Sequence, residues 1–155
     1  MLKYILLALV AVAILGAIFV RLRPLNPDDY TGHLQEGFPT GNVDFPVEKA
    51  GSYLQSVDFT QPVDEVAAKL RAIIEATPRT TLMAGSLVAE TPALIDKATY
   101  VTRSALWGFP DVTTVEVAVT NKGAAVTLYG RLVYGKADMG VNKARIEGWL
   151  EQLSQ

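Results

Sequence analysis

The chain of 155 residues contains no cysteine and a single histidine, His33. Without thiols it has no disulfide, no thiolate metal site and no lipid-modified cysteine. With one imidazole, the common metal-ligand clusters and nucleophile–base triads lack their parts. No glycine-rich phosphate loop, no GxGxxG, no HExxH and no GxSxG occurs. Positive charge is also scarce. Lys3, Arg21 and Arg23 lie before Pro24, which leaves 11 Lys/Arg against all 16 Asp/Glu in the rest, a net charge of about −5. An acidic domain without a basic stripe is a poor partner for nucleic-acid phosphates, so that class is set aside. Internal repeats and low-complexity tracts are absent, and the lack of cysteine chooses no compartment.

What is present begins with an apolar run. Tyr4 to Val20 carries no charge, and Leu22 extends it past Arg21. At about 1.5 Å per residue this gives roughly 25–30 Å, the low end of a bilayer span. A helix apolar on every side would need a larger core than this domain offers, so residues 1–23 read as a single transmembrane anchor. Cleavage after Ala11-Val12-Ala13 is the rival, but it leaves an apolar run of only about seven residues and a second one exposed. Lys3 stands on one side and Arg21 and Arg23 on the other, so charge alone leaves orientation near a tie. Residues 24–51 read as a tether. Pro24, Pro27, Pro39 and Pro46 alternate there with Gly32, Gly37 and Gly41, which argues against a long helix or a central strand. Tyr30, Phe38 and Phe45 are the side chains that would lay part of it against a domain surface, and His33 reads as a solvated side chain.

The domain is expected over residues 52–155. Ser52 to Phe59 suits an edge strand. Val63, Val66, Ala67, Leu70, Ile73 and Ile74 then fall on one helical stripe, with Thr60 or Gln61 as cap and Pro78 as terminator. Thr80–Ala89 reads as a strand, Glu90–Asp96 as a loop, and Ala98–Trp107 as an alternating strand. Gly108–Asp111 turns the chain, Val112–Val119 is a strand, Asn121-Lys122-Gly123 is a hairpin turn, and Ala124–Tyr134 is the next strand. A last helix from about Met139 to Leu153 carries Ile146, Trp149, Leu150 and Leu153 inward, with Asp138 as its cap. The order β-α-β-β-β-β-α predicts an α+β fold, a mostly antiparallel sheet with two helices on one face, after the N-terminal transmembrane helix.

The second half of the chain has a distinctive pattern: Arg103-Ser104, then Gly108-Phe109 with Asp111, then Tyr134-Gly135, Asp138, Gly140-Val141-Asn142 and Arg145. This run resembles the bacterial domain-of-unknown-function family 1499, over roughly Leu54 to Leu153. The resemblance implies a domain type and no reaction. Many members of that family look exported or membrane-anchored, which implies a domain facing outward. Many also carry a cysteine-containing segment before the first helix, where this chain has Gly41-Asn42-Val43.

Arg103, Arg131, Asn142 and Arg145 are the candidate ligand-binding residues; Asp111, Asp138 and Gly140 are the structural part of the motif. Strand parity puts Arg103, Glu116 and Arg131 on one sheet face. They can form a structural ion network, or an anion pocket, because a guanidinium fork matches a carboxylate or phosphate. Asp138 suits a helix cap worth about 1 kcal/mol, and Gly140 and Asn142 shape the approach to that helix. Trp107 and Phe109 read as packing or hairpin-tip anchors. Paired-carboxylate chemistry on Asp111 or Asp138 is the weakest reading. The expectation is therefore a single-pass protein of the inner membrane, its domain facing the periplasm, acting as a non-enzymatic accessory or interaction subunit of an envelope or membrane complex. The alternative is a module that binds an anionic small molecule or lipid headgroup on the Arg103/Arg131 sheet face. No catalytic residue, metal or cofactor is expected. The expected partners are the lipid bilayer through residues 2–22 and another membrane protein.

Overall fold

The uncharged N-terminal run forms one helix, α1 (Leu2–Leu22), none of whose residues is buried. Its 21 residues reach about 32 Å, long and apolar enough to cross a membrane. The computed structural model describes residues 1–32, 43–87 and 95–155, with Ile95 and Asp96 by backbone alone. His33, Phe38, Pro39, Gly41 and Asn42 lie outside the described residues, so the readings made for them find no counterpart here.

After a short 3-10 turn at Pro27–Asp29 come β1 (Val47–Lys49), β2 (Ser52–Phe59), α2 (Val63–Ala76), β3 (Thr80–Ser86), β4 (Ile95–Arg103), β5 (Pro110–Thr120), β6 (Gly123–Leu132) and α3 (Val141–Ser154). The six strands make one antiparallel sheet in the order β1-β2-β6-β5-β4-β3. Both α2 and α3 pack on one face. Val66, Ala67, Leu70 and Ile74 of α2 and Ile146, Trp149, Leu150 and Leu153 of α3 meet Tyr53, Tyr100, Val115, Val117, Val126 and Leu128 of the sheet. Val115 and Val117 of β5, and Val126 and Leu128 of β6, stand two residues apart, so strand alternation aims each pair inward. The Trp149 indole N–H donates to Thr77 Oγ1 (2.8 Å), and the Tyr53 hydroxyl donates to Glu147 (3.0 Å). Burial first, and then Glu147, pushes the Tyr53 hydroxyl up to about 12.

Several boundaries differ from the sequence reading. The edge belongs to β1, while β2 lies inside between β1 and β6. Neither Thr60 nor Gln61 caps α2; Pro62 precedes it, without a side-chain cap. Ile95 and Asp96 belong to β4 instead of a loop, and β4 stops at Arg103, four residues before Trp107. The stop is a hydrogen-bonded loop. Ser104 N–H donates to the Phe109 carbonyl (2.9 Å), Gly108 N–H to the Ser104 carbonyl (3.1 Å), and Phe109 N–H to Ser104 Oγ (3.0 Å). Gly108 has φ +74°, which a side chain would strain. The last helix begins at Val141, because Met139 (φ 52°) and Gly140 (φ 79°) take left-handed backbone conformations just before it.

Candidate functional site

The motif residues scattered over forty positions of sequence come together at one end of the sheet. Arg103, the last residue of β4, pairs with Pro110, the first of β5, and Asp111 pairs with Thr102 on one side and Leu132 on the other. Val133 N–H donates to the Pro110 carbonyl (3.3 Å), so the chain leaving β6 stays beside this corner on its way to α3. The polar groups here divide into two networks, one on each face of the sheet.

On the helix-covered face, four side chains form a relay. Arg145 donates to Asp111 Oδ2 (2.8 Å) and to Asn142 Oδ1 (2.9 Å). Asn142 Nδ2 donates to Asp138 Oδ2 (2.7 Å). Gly140, not Asp138, is the cap residue of α3, but Asp138 also accepts from the Asn142 N–H (2.9 Å) in the helix's first turn and from the Gly140 N–H (3.1 Å) before it. Asn142 is fully buried, and Arg145 and Asp111 are only 11% and 17% exposed, which makes this a low-solvent network. The two carboxyls differ in consequence. Burial pushes Asp111 above its ordinary 3.8, opposed by Arg145 and reinforced by the nearby Asp138 charge. Burial pulls Asp138 the same way, but the donors of Asn142 and Gly140 outweigh it and hold the group below 3.8. A glycine makes the close fit possible: a Cβ at Gly130 would stand 2.8 Å from Asn142 Oδ1 and 3.1 Å from Ile146 Cδ1.

On the opposite face, the arginines reach the N-terminal segment. Arg103 donates to the carbonyls of Val20 (3.1 Å) and Arg23 (3.3 Å), at the C-terminal end of α1, and to Gly108 (3.1 Å). Arg21 returns the contact. It donates to the carbonyls of Ala105 and Leu106 (3.0 Å for the second), and its side chain lies over Gly108, where a Cβ would come 2.1 Å from Arg21 Cγ. Positive side chains on the last carbonyls of a helix satisfy unpaired acceptors and suit the negative end of its dipole. Arg79 donates to the Arg103 carbonyl (3.0 Å), and with Arg21, Thr81, Arg103, Ser104 and Gly108 it lines a groove of about 330 Å³. Further along the face, Arg131 donates to Thr114 Oγ1 (3.1 Å) and to the Tyr30 carbonyl, and its guanidinium lies 5.1 Å from the centre of the Tyr129 ring. Burial lowers its pKa from the ordinary value.

Arg103, Glu116 and Arg131 thus do share a face, as the strand register shows. The Arg–Glu network is corrected, however. Glu116 pairs with Lys97, directly across the strand pair (3.4 Å), and the two arginines bond to carbonyls and hydroxyls instead. Asp111, Asp138, Asn142 and Arg145 gather as one group, while Arg103 and Arg131 stand on the other side of the sheet. Sequence reasoning missed Arg21, Gly130 and the Tyr30 carbonyl. Only Arg21 left a signal, as the charge that interrupts the apolar run. Among the described residues no group of three or more His, Asp or Glu is placed to hold a metal ion.

The structure is that of a small α+β domain: a six-stranded antiparallel sheet with two helices on one face, following a helix long enough to cross a membrane. The chain belongs to DUF1499, a protein family of unknown function, whose family model matches residues 27–153. Among the solved structures similar to it are three bacterial proteins. Protein MLL2253 of Mesorhizobium loti has 11% identity and a TM-score of 0.46, covering 67% of this chain and 94% of that one. Protein CV1439 of Chromobacterium violaceum has 12% identity and a TM-score of 0.42, covering 68% and 94%. An uncharacterised protein of Rhizobium leguminosarum has 14% identity and a TM-score of 0.43, covering 66% and 90%. No curated protein matches the chain in sequence.

Proposed function

We propose that this is a single-pass protein of the inner membrane whose periplasm-facing domain is a non-enzymatic interaction module, an accessory subunit of a membrane or envelope complex. Residues 24–51, the last part of which forms β1 (Val47–Lys49), serve as its tether. The observation that carries this reading is the bond set from Arg103 to Val20 and Arg23, answered by Arg21 on Ala105 and Leu106. A domain on a loose leash has no use for such a clasp. A domain that must present one surface at a set angle to the bilayer does. The polar motif supports the same reading, since Asp111 and Asp138 are both engaged by the chain's own donors, as a scaffold requires.

The test has two parts. Alkaline carbonate extraction of membranes should leave the full chain in the pellet, and a Gln155→Cys variant, the sole thiol in this chain, should react with a membrane-impermeant maleimide added to spheroplasts. Release of an intact chain into the supernatant would overturn the anchor, and labelling only after lysis would reverse the orientation. Mild-detergent purification should then recover the protein with a stoichiometric membrane-protein companion. A reproducibly solitary protein, after in-cell crosslinking as well, would sink the accessory-subunit reading.

A further inference from the structure

The loop between β4 and β5 ends in large apolar side chains that the fold leaves outside. Leu106 is 73% exposed, Trp107 42% and Phe109 44%. Tyr134, 39% exposed, packs its ring edge-on against Phe109 with centroids 6.5 Å apart. These four side chains lie at the same corner of the sheet, although Tyr134 is 25 or more residues distant in sequence from the others. A cluster of exposed aromatics and leucine on a soluble surface marks a contact surface. Its position says which contact. The loop's own backbone is hydrogen-bonded to Arg21, and Arg103 at its base is bonded to Val20 and Arg23. Arg21 is the first charge after seventeen uncharged residues, where a spanning helix leaves the hydrocarbon and meets the headgroups. The loop is therefore pinned at headgroup level by the helix itself. Trp and Tyr rings suit that level, having an apolar body and a polar tip.

The charge around the loop agrees. Arg21, Arg79 and Arg103 line one groove there with no acid among its lining residues, and Arg23 adjoins it. This is a basic rim on a domain that is otherwise acidic, and basic residues beside apolar ones favour an anionic lipid surface. We propose that the β4–β5 loop is a second membrane contact: Leu106, Trp107 and Phe109, with Tyr134, lie in the interface of the bilayer that α1 crosses, and the arginine rim meets anionic headgroups. The proposal rests on α1 being a membrane span. The loop and the helix then hold the sheet at two points, so the domain cannot swivel about its anchor.

The test uses the full chain, whose lack of cysteine allows single nitroxide labels. Leu9→Cys, Leu106→Cys and Lys122→Cys would each be labelled and reconstituted into mixed phosphatidylcholine–phosphatidylglycerol vesicles. Collision with oxygen, which enters bilayers, is compared with collision with a water-soluble nickel chelate. Labels at 9 and 106 should favour oxygen, and the label at 122, in the hairpin turn at the far end of the sheet, should favour nickel. A label at 106 that favours nickel while 9 favours oxygen would overturn the loop contact and leave the anchor standing. Nickel access at 9 would remove the anchor and the loop contact together. Protection at 106 that grows with the protein-to-lipid ratio would mean a second copy covers the loop, and would also overturn the proposal. Tryptophan emission gives an independent reading without a label on the loop. Trp149 is buried (2% exposed), so lipids brominated near the headgroup should quench mainly Trp107. Most of the quenching should vanish in Trp107→Phe; quenching that persists unchanged would count against the contact.

Discussion

The two faces of the sheet are closed by different forces. One is covered by α2 and α3 and filled with Tyr53, Tyr100, Val115, Val117, Val126 and Leu128, all nearly without solvent exposure. On the other, no helix packs among the described residues, yet Thr99 and Thr114 are fully buried there and Val112 beside them is too. Its bonds are polar: Ser56 to Thr127 (2.9 Å), Thr99 to Thr114 (3.4 Å), Arg131 to Thr114 and to the Tyr30 carbonyl. The first face stabilises by removing hydrocarbon from water, at roughly 25 cal/mol per Å². The second contributes about 1 kcal/mol for each net hydrogen bond, and uses those bonds to fix where the N-terminal segment runs. One face makes the domain fold; the other sets how the folded domain meets its helix.

That division predicts unequal losses. Leu70→Ala, in the helix-covered core, should cost about 2–5 kcal/mol, because the cavity adds to the lost burial. Thr114→Val on the other face removes one acceptor of Arg131 and should cost about 1 kcal/mol. Thermal unfolding of the full chain in detergent, followed by near-ultraviolet circular dichroism, compares the two. Equal losses would erase the distinction between the faces.

The relay at the end of the sheet comes next in size. Asp111→Ala leaves the mostly buried Arg145 without its carboxylate and should cost about 3 kcal/mol. Removing both charges, as Asp111→Leu with Arg145→Leu, should recover a large part of that loss, since an absent pair is less costly than a broken one. A double variant as unstable as the sum of both singles would show that the pair does not act as a unit.

Arg103→Ala should do the reverse of a core substitution: a small change in unfolding temperature, but much faster proteolysis within residues 24–31, where the segment is freed from its clasp. Arg103→Lys should restore little, because a single ammonium nitrogen does not reproduce the two guanidinium nitrogens that reach Val20 and Gly108 from one and Arg23 from the other. If Arg103→Ala left the cleavage rate unchanged, the clasp would have no structural consequence.

These outcomes also explain what was legible beforehand. The helix-covered face could be read because periodicity reports it: Val66, Leu70 and Ile74 recur at helical spacing, and Val115, Val117 and Val126, Leu128 alternate. The family motif singled out Arg103, Asp111, Asp138 and Arg145, which the fold brings to one end of the sheet. The partners of Arg103 and Arg131 were not legible. Both donate to backbone carbonyls, which every residue carries, so no residue type at Val20, Arg23 or Tyr30 announces the contact. Reasoning from side chains alone offers an arginine only an acid or an anion, hence the expected pairing with Glu116. The acid there was claimed by Lys97, its cross-strand neighbour. Strand ends were illegible for a similar reason, since the β4–β5 loop is closed by its own backbone and Ser104.

The smallest effect distinguishes the two carboxyls of the relay. Asp138 is held below its ordinary 3.8 in the folded chain, despite burial, by the donors of Asn142 and Gly140. The folded state then binds fewer protons than the unfolded one, so Asp138's contribution is fully present above pH 3.8 and is lost as pH falls through the folded value. Asp111 is raised by burial, so its contribution has the opposite sign: present below 3.8, and lost as pH rises through its folded value. Asp138→Asn should therefore cost about 1 kcal/mol at neutral pH, as a weakened cap does, and flatten the loss of stability on the acid side. Asp111→Asn, although more damaging at neutral pH because it strands Arg145, should steepen the acid-side loss by leaving Asp138 unopposed. Urea midpoints of the three chains between pH 3 and 7, a range set by ordinary carboxyl titration at about 4, separate the cases. Parallel curves would mean that neither carboxyl titrates differently on folding.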